Sequence, residues 1–150
     1  MRISAKADYA VRAALELAAA DGALKGEALA AAQAIPLKFL ENILIELRHA
    51  GLVRSQRGPE GGYWLAKEAD EIAIADVIRA VEGPLASVRG ESPEDLDYSG
   101  PAEQLQHVWV ALRANLRAVL EAVTLADVVG GTLPKRILRL TEAPEAWVRR

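Results

Sequence analysis

RSQRGPEGGYWLA, residues 54–66, is the stretch on which the fold turns. Gly58, Pro59, Gly61 and Gly62 crowd into its middle, Arg54 and Arg57 stand before them, and Tyr63, Trp64 and Leu65 follow. Glycine and proline at this density mark a tight turn. The flanking runs LVRSQR and GYWLA have the composition of short strands, so the stretch reads as a β-hairpin with a cationic flank. A nucleotide-phosphate loop would need a helix to start directly after the glycines, usually with Lys-Ser or Lys-Thr to hold the phosphates. YWLA is strand-like, and that reading falls. A bare structural turn accounts for the glycines but not for the arginines. A hairpin laid along a duplex accounts for both: Gly58, Pro59 and Gly61 bring bare backbone close, while Arg54 and Arg57 meet phosphates or the minor groove.

Toward the N-terminus, Ser4 is placed to cap a helix whose apolar residues Ala7, Ala10, Val11, Ala14, Leu15 and Ala18 recur at helical spacing. Asp21-Gly22 ends it. A short alanine-rich helix fits 26–34, and a third begins at Pro36 and stops before Gly51. In the third, Leu40, Ile43, Leu44 and Leu47 form one stripe, which leaves Lys38, Glu41, Asn42, Ile45 and Arg48 or His49 on the other side. Three helices followed by a hairpin describe a winged helix-turn-helix.

Toward the C-terminus, IADVIRAVEG reads as a helix that opens near Ala75, closes at Gly83-Pro84 and packs on the first helix. Residues 87–103 carry two prolines, few apolar side chains and an acidic excess, and read as a solvated loop. Leu105, Trp109, Leu112, Leu116, Val119 and Val123 then follow at spacings of 4, 3, 4, 3, 4, the pattern of a helix–helix seam. One helix cannot bury such a seam alone, so these six residues are the expected dimer interface. The expected fold is mainly α with a small β-hairpin. Its divisions are a winged helix-turn-helix region at 1–84, a loop at 85–103, a dimerisation helix and its end at 104–130, and a C-terminal tail at 131–150.

Composition narrows the function. The 150 residues include no cysteine, which excludes disulfides, thiolate zinc sites, thiol nucleophiles and cysteine-ligated clusters. The formal net charge of −3 argues against sequence-independent binding of nucleic acid through overall charge. The acid is local, however: residues 61–100 hold 3 Lys and Arg against 9 Asp and Glu, whereas residues 1–60 hold 8 against 7. Asp8, Arg12 and Glu16 interrupt the first apolar run, so no signal-peptide core or membrane span is expected, and a cytoplasmic protein is the simplest reading.

Three segments together carry a resemblance: MRISAKADYAVRAALELA, then AAAQAIPLKFLENILIELRHAGLVRSQRGPEGGYWLAKEADEIAIADVIRAVEG, then VWVALRANLRAVLEAVTLADVV. The chain resembles the IscR/NsrR/CymR-type, or Rrf-type, winged-helix bacterial transcriptional regulators over most of residues 1–129. The resemblance implies a homodimer on a palindromic operator in double-stranded DNA that represses, or less often activates, transcription. It implies that Pro36–Arg48 is the recognition helix, with Lys38, Phe39, Glu41 and Asn42 near its groove-facing end. There Asn42 would pair with adenine and Phe39 would meet a thymine methyl group, while Arg48, Arg54 and Arg57 grip phosphate or the minor groove. The best-known members hold an iron–sulfur cluster on cysteines in the loop before the long helix, where this chain has Ser, Asp, Glu and Gly. No cluster, cofactor or metal is therefore expected. Ala34 stands where a glycine is usual between the two helices of the motif.

The remaining polar residues add no chemistry. His49 and His107 each lack a second ligand. Glu91, Glu94, Asp95 and Asp97 lack the spacing of a calcium loop. Trp109 falls on the apolar seam, and Trp64 alternates away from Tyr63 and Leu65. No nucleophile–base pair appears, so no catalytic residue and no enzyme is expected. The alternative to a regulator is a winged-helix protein-interaction module that keeps the fold without the DNA surface. An effector or partner protein is expected but not identified.

Overall fold

The computed structural model describes residues 1–150. Its helices are α1 (Ala5–Ala19), α2 (Gly26–Gln33), α3 (Leu37–His49), α4 (Ile74–Glu82), α5 (Leu105–Leu120), α6 (Leu125–Gly130) and α7 (Lys135–Leu140), and its strands are β1 (Val53–Gln56) and β2 (Gly62–Leu65). Short 3-10 turns at Ala69–Glu71, Pro93–Asp95, Gly100–Ala102 and Pro144–Trp147 complete it.

α1 starts where Ser4 Oγ accepts the Ala7 N–H at 3.0 Å, which satisfies one of the amides left free at a helix start. The same hydroxyl donates to Glu82, tying the beginning of α1 to the end of α4. Ala10, Ala13, Ala14 and Leu17 of α1 are buried together with Leu29 and Ala30 of α2, Leu40, Ile43, Leu44 and Leu47 of α3, and Val77 and Val81 of α4. The alanine-rich stripe on α1 lets three other helices approach it closely, and leucine and isoleucine from α3 fill the space between them.

α2 and α3 meet at 114°, within the range of a helix-turn-helix. The turn is made by Ala34, which caps α2 in the left-handed conformation at φ 52°, ψ 46°. An L side chain adopts that conformation at a cost, which is why glycine favours such caps. Ala34 therefore fits in space and is strained in backbone. The next residue, Ile35, donates its N–H to Ala30 at 2.9 Å and buries its side chain in the core.

The third part of the core comes from far along the chain. The Ile74 N–H donates to Val123 O and the Leu125 N–H to Ile72 O, both at 2.9 Å, and Leu125 is completely buried. Thr124 Oγ1 accepts the Asp127 N–H while the Asp127 carboxylate accepts the Thr124 N–H, each at 3.0 Å, so α6 starts with a reciprocal cap. The expected division at residue 84 is corrected accordingly: residues 123–125 complete the hydrophobic core that residues 1–84 begin.

Residues 87–103 are also corrected. They are not a solvated loop, because Pro93 and Leu96 are buried and the segment is fastened to α5. Gln106 donates to the carbonyls of Glu94 at 3.0 Å and Leu96 at 2.7 Å, Trp109 Nε1 donates to the Tyr98 hydroxyl at 3.1 Å, and Arg113 pairs with Glu94.

Candidate nucleic-acid interface

The hairpin pairs Val53 with Leu65, Arg54 with Trp64, Ser55 with Tyr63 and Gln56 with Gly62 in an antiparallel register. A second pairing holds it to the body of the molecule: Leu24 N donates to Tyr63 O at 2.9 Å and Tyr63 N donates to Leu24 O at 2.8 Å. The turn between α1 and α2 thus acts as a third, one-residue strand. Tyr63 and Leu65 pack on the core, whereas Trp64 does not belong to it.

That attachment explains one of the glycines, and the turn of the hairpin itself explains another. A side chain at Gly62, where φ is +143°, would place its Cβ 2.7 Å from the carbonyl oxygen of Leu24. A Cβ at Gly61 would lie 2.1 Å from the carbonyl oxygen of Gln56. Both distances are impossible for real atoms, so the closeness these glycines serve is inside the chain. Gly61, expected among the DNA-contacting residues, is buried and is corrected to a structural position. Gly58 differs: its φ is +105° and nothing lies within 4 Å of where a Cβ would stand. With exposed Pro59 it forms the bare tip.

On α3 the residues Lys38, Glu41, Asn42 and Arg48 are all exposed, as are Arg54 and Arg57 of the hairpin. The fully free line along the helix is Lys38, Asn42, Ile45 and His49, at spacings of 4, 3 and 4. Phe39 lies to one side of that line. Its ring stands edge-on to Tyr9 of α1, centroids 6.0 Å apart and planes at 83°, although half of its surface remains in solvent. Glu46 on the same flank pairs with Lys6 of α1 at 2.8 Å, and Arg12 lies over the Tyr9 ring at 4.9 Å and donates to Gln33 O at 2.7 Å. These contacts fix how α3 sits on α1 and α2.

Gly26 joins helix and hairpin, because a Cβ there would meet Leu37 of α3 and Tyr63 of β2, each at 3.8 Å. Beside it Lys25 donates to the carbonyl of Gly58 at the tip. Lys25 therefore adds a cation between the start of α3 and the wing. Its position depends on the long-range Leu24–Tyr63 pairing, so no local pattern points to it. Lys25, Lys38, Arg48, Arg54 and Arg57 take part in none of the chain's salt bridges, which are Lys6–Glu46, Arg12–Asp8, Arg79–Asp76, Arg79–Glu121 and Arg113–Glu94. These five cations, carried by α3, the hairpin and the residue before α2, are exposed and without an acidic partner, and so are available to an anion.

The apolar seam is only partly where its spacing placed it. Leu105, Trp109, Leu112, Leu116 and Val119 lie on α5, a helix of 16 residues without one buried side chain. Trp109, Leu112 and Leu116, joined by Leu120, line one wall of a groove of about 820 Å³; Ile3, Ala7, Ile78, Leu85 and Val88 line the other. Val123 is corrected: α5 ends at Leu120, and Val123 is buried in the core of its own chain.

Relatives share the fold. The profile of the Rrf2 family, described as an iron-dependent transcriptional regulator, matches residues 3–131. A protein of Mycobacterium tuberculosis (strain H37Rv) that carries the name of an HTH-type transcriptional regulator is 58% identical over 144 residues, 95% of this chain and 89% of that protein. The structure of CymR, the global cysteine regulator of B. subtilis, matches with a TM-score of 0.73 at 34% identity, over 88% of this chain and 98% of that one. T. potens IscR matches with a TM-score of 0.69 at 32% identity, over 100% and 93%. The iron in the family description finds no donor set in this chain. There is no thiol, no group of three His, Cys, Asp and Glu side chains converges, and Glu94 is engaged by Arg113. The residues present do not fit an iron centre.

Proposed function

The chain belongs to the Rrf2 family of transcriptional regulators, and on that premise we propose that it works as a homodimer that binds a palindromic operator and represses transcription. The observation that carries this reading is the set of five unpaired cations around the free face of α3 and the wing tip. In this arrangement α3 enters the major groove, where Lys38, Glu41 and Asn42 meet base edges, and Arg48, Arg54, Arg57 and Lys25 hold the phosphates that fix its register. Gly58 and Pro59 carry the tip against the backbone or into the minor groove.

Dimerisation follows from α5. Its apolar face is only half covered within the chain and none of its side chains is buried, so a second copy of α5 completes the cover. A two-fold axis between such helices sets the half-sites one helical turn, or a multiple of it, apart. The protein acts in the cytoplasm without a cofactor, and no side chain is assigned a catalytic role. The effector or partner protein is unidentified, and the segment of residues 87–103 with the start of α5, to which it is fastened, is the place to seek its site. The test is to sequence genomic fragments retained by the purified full-length protein. Enrichment of one inverted repeat upstream of a gene is the expected result. Failure to retain any fragment, including the chain's own upstream region, would overturn the proposal.

A further inference from the structure

Ile45 stands at the centre of the free line on α3 and remains 47% exposed. It is the one apolar side chain on that line, whose other members, Lys38, Asn42 and His49, are all polar. The other two exposed apolar residues of α3 do not share its position. Phe39 is turned about 120° around the helix from Ile45, toward Tyr9, and Leu37 is turned about 80° the other way, toward α2. Ile45 instead borders a shallow hollow of about 390 Å³ with Lys6, Phe39, Asn42, Ile43 and Glu46.

The major groove offers one apolar group for such a residue, the C5-methyl of thymine. Ile45 follows Asn42 by less than one turn, so it reaches the base step next to the one Asn42 addresses. Being β-branched, its side chain is held in one rotamer by the helix, and little freedom is lost when a methyl group packs against it. We infer that Ile45 is a specificity-determining residue that recognises the 5-methyl group of a thymine adjacent to the adenine read by Asn42. The inference rests on the DNA-binding reading above and assigns the methyl contact to Ile45 in place of Phe39.

The experiment uses the full-length dimer and the operator fragment it retains, with each thymine replaced in turn by uracil, which removes only the methyl group. Replacement at one symmetric pair of thymines is expected to weaken binding about fourfold per half-site, the worth of one buried methyl group. In Ile45→Ala the same replacement is expected to change nothing. A uracil profile identical in the wild type and Ile45→Ala would overturn the inference while leaving DNA binding intact. So would a methyl effect that survives in Ile45→Ala and vanishes in Phe39→Ala. Loss of all DNA binding by the wild type would instead remove the reading beneath it.

Discussion

The wing arginines offer the most exacting test of the interface. Arg54 and Arg57 are exposed and make no salt bridge, so replacing both by alanine leaves the fold nearly untouched, with stability changed by no more than about 0.5 kcal/mol. If each meets one phosphate, a dimer loses four phosphate contacts. Each contact contributes about 0.9 to the slope of log affinity against log salt, so the variant's slope is shallower by about 3.6. Between 50 and 200 mM salt, the wild type should then lose about 150-fold more affinity than the variant does. Fluorescence anisotropy on the retained operator across that range measures both slopes. A variant that is weaker at every salt concentration by a constant factor, with an unchanged slope, would show that the arginines act otherwise than by neutralising phosphate, and the assigned role of the wing would be wrong.

Four further outcomes follow from the geometry. Ala34→Gly relieves a left-handed alanine and should raise stability by about 0.5–1 kcal/mol after the greater freedom of glycine in the unfolded chain is discounted, seen as a melting temperature higher by a few degrees. Gly62→Ala forces a Cβ against the Leu24 carbonyl and should cost about 2–3 kcal/mol while releasing the wing from the α1–α2 turn, visible in denaturant unfolding and in weakened operator binding. Leu116→Glu puts a charge in the α5 groove and should convert dimer to monomer in sedimentation while helix content is retained. Glu94 should titrate below the ordinary glutamate range, held there first by a backbone hydrogen bond at Glu94 itself and then by Arg113. Because the folded-state pKa is lowered, its contribution is present at neutral pH and lost as pH falls through that lowered value; NMR titration of Arg113→Ala should move the midpoint part of the way back.

What the sequence disclosed divides by range. The helix-turn-helix was legible because its signals are local: Leu40, Ile43, Leu44 and Leu47 recur at helical spacing and all four are buried. The hairpin was legible because glycine and proline punctuate two strand-like runs. Where long-range pairing decides, the pattern misled. The seam spacing continued arithmetically to Val123, but the chain leaves the helix after Leu120 and turns inward, because residues 72–74 offer backbone groups that Val123 and Leu125 satisfy. Composition suggested a solvated loop at 87–103, yet two buried apolar residues and five side chains of α5 and the loop hold it in place. Lys25 and the internal role of Gly62 were hidden for the same reason, since both depend on where the hairpin meets Leu24, whereas Gly61 is required by the approach of Gln56 and Arg57 within the turn itself.

The return of α6 gives the arrangement its mechanical consequence. Were α5 a mere extension after residue 84, its pairing with a second copy would leave the recognition helices on loose tethers. Instead α5 is held at its first half by the segment around Glu94 and Leu96, and beyond its last residue by the Arg79–Glu121 pair and the backbone bonds of Ile72 and Ile74. Leu125 then sits in the same cluster as Leu40, Ile43 and Leu47, the buried side of the helix proposed to read bases. A close-packed core transmits displacement because it has no slack to absorb it. In the proposed dimer, the angle between the two α5 helices would set the separation of the two α3 helices through packed side chains, and a ligand that shifted α5 would have a route to the operator that requires no hinge.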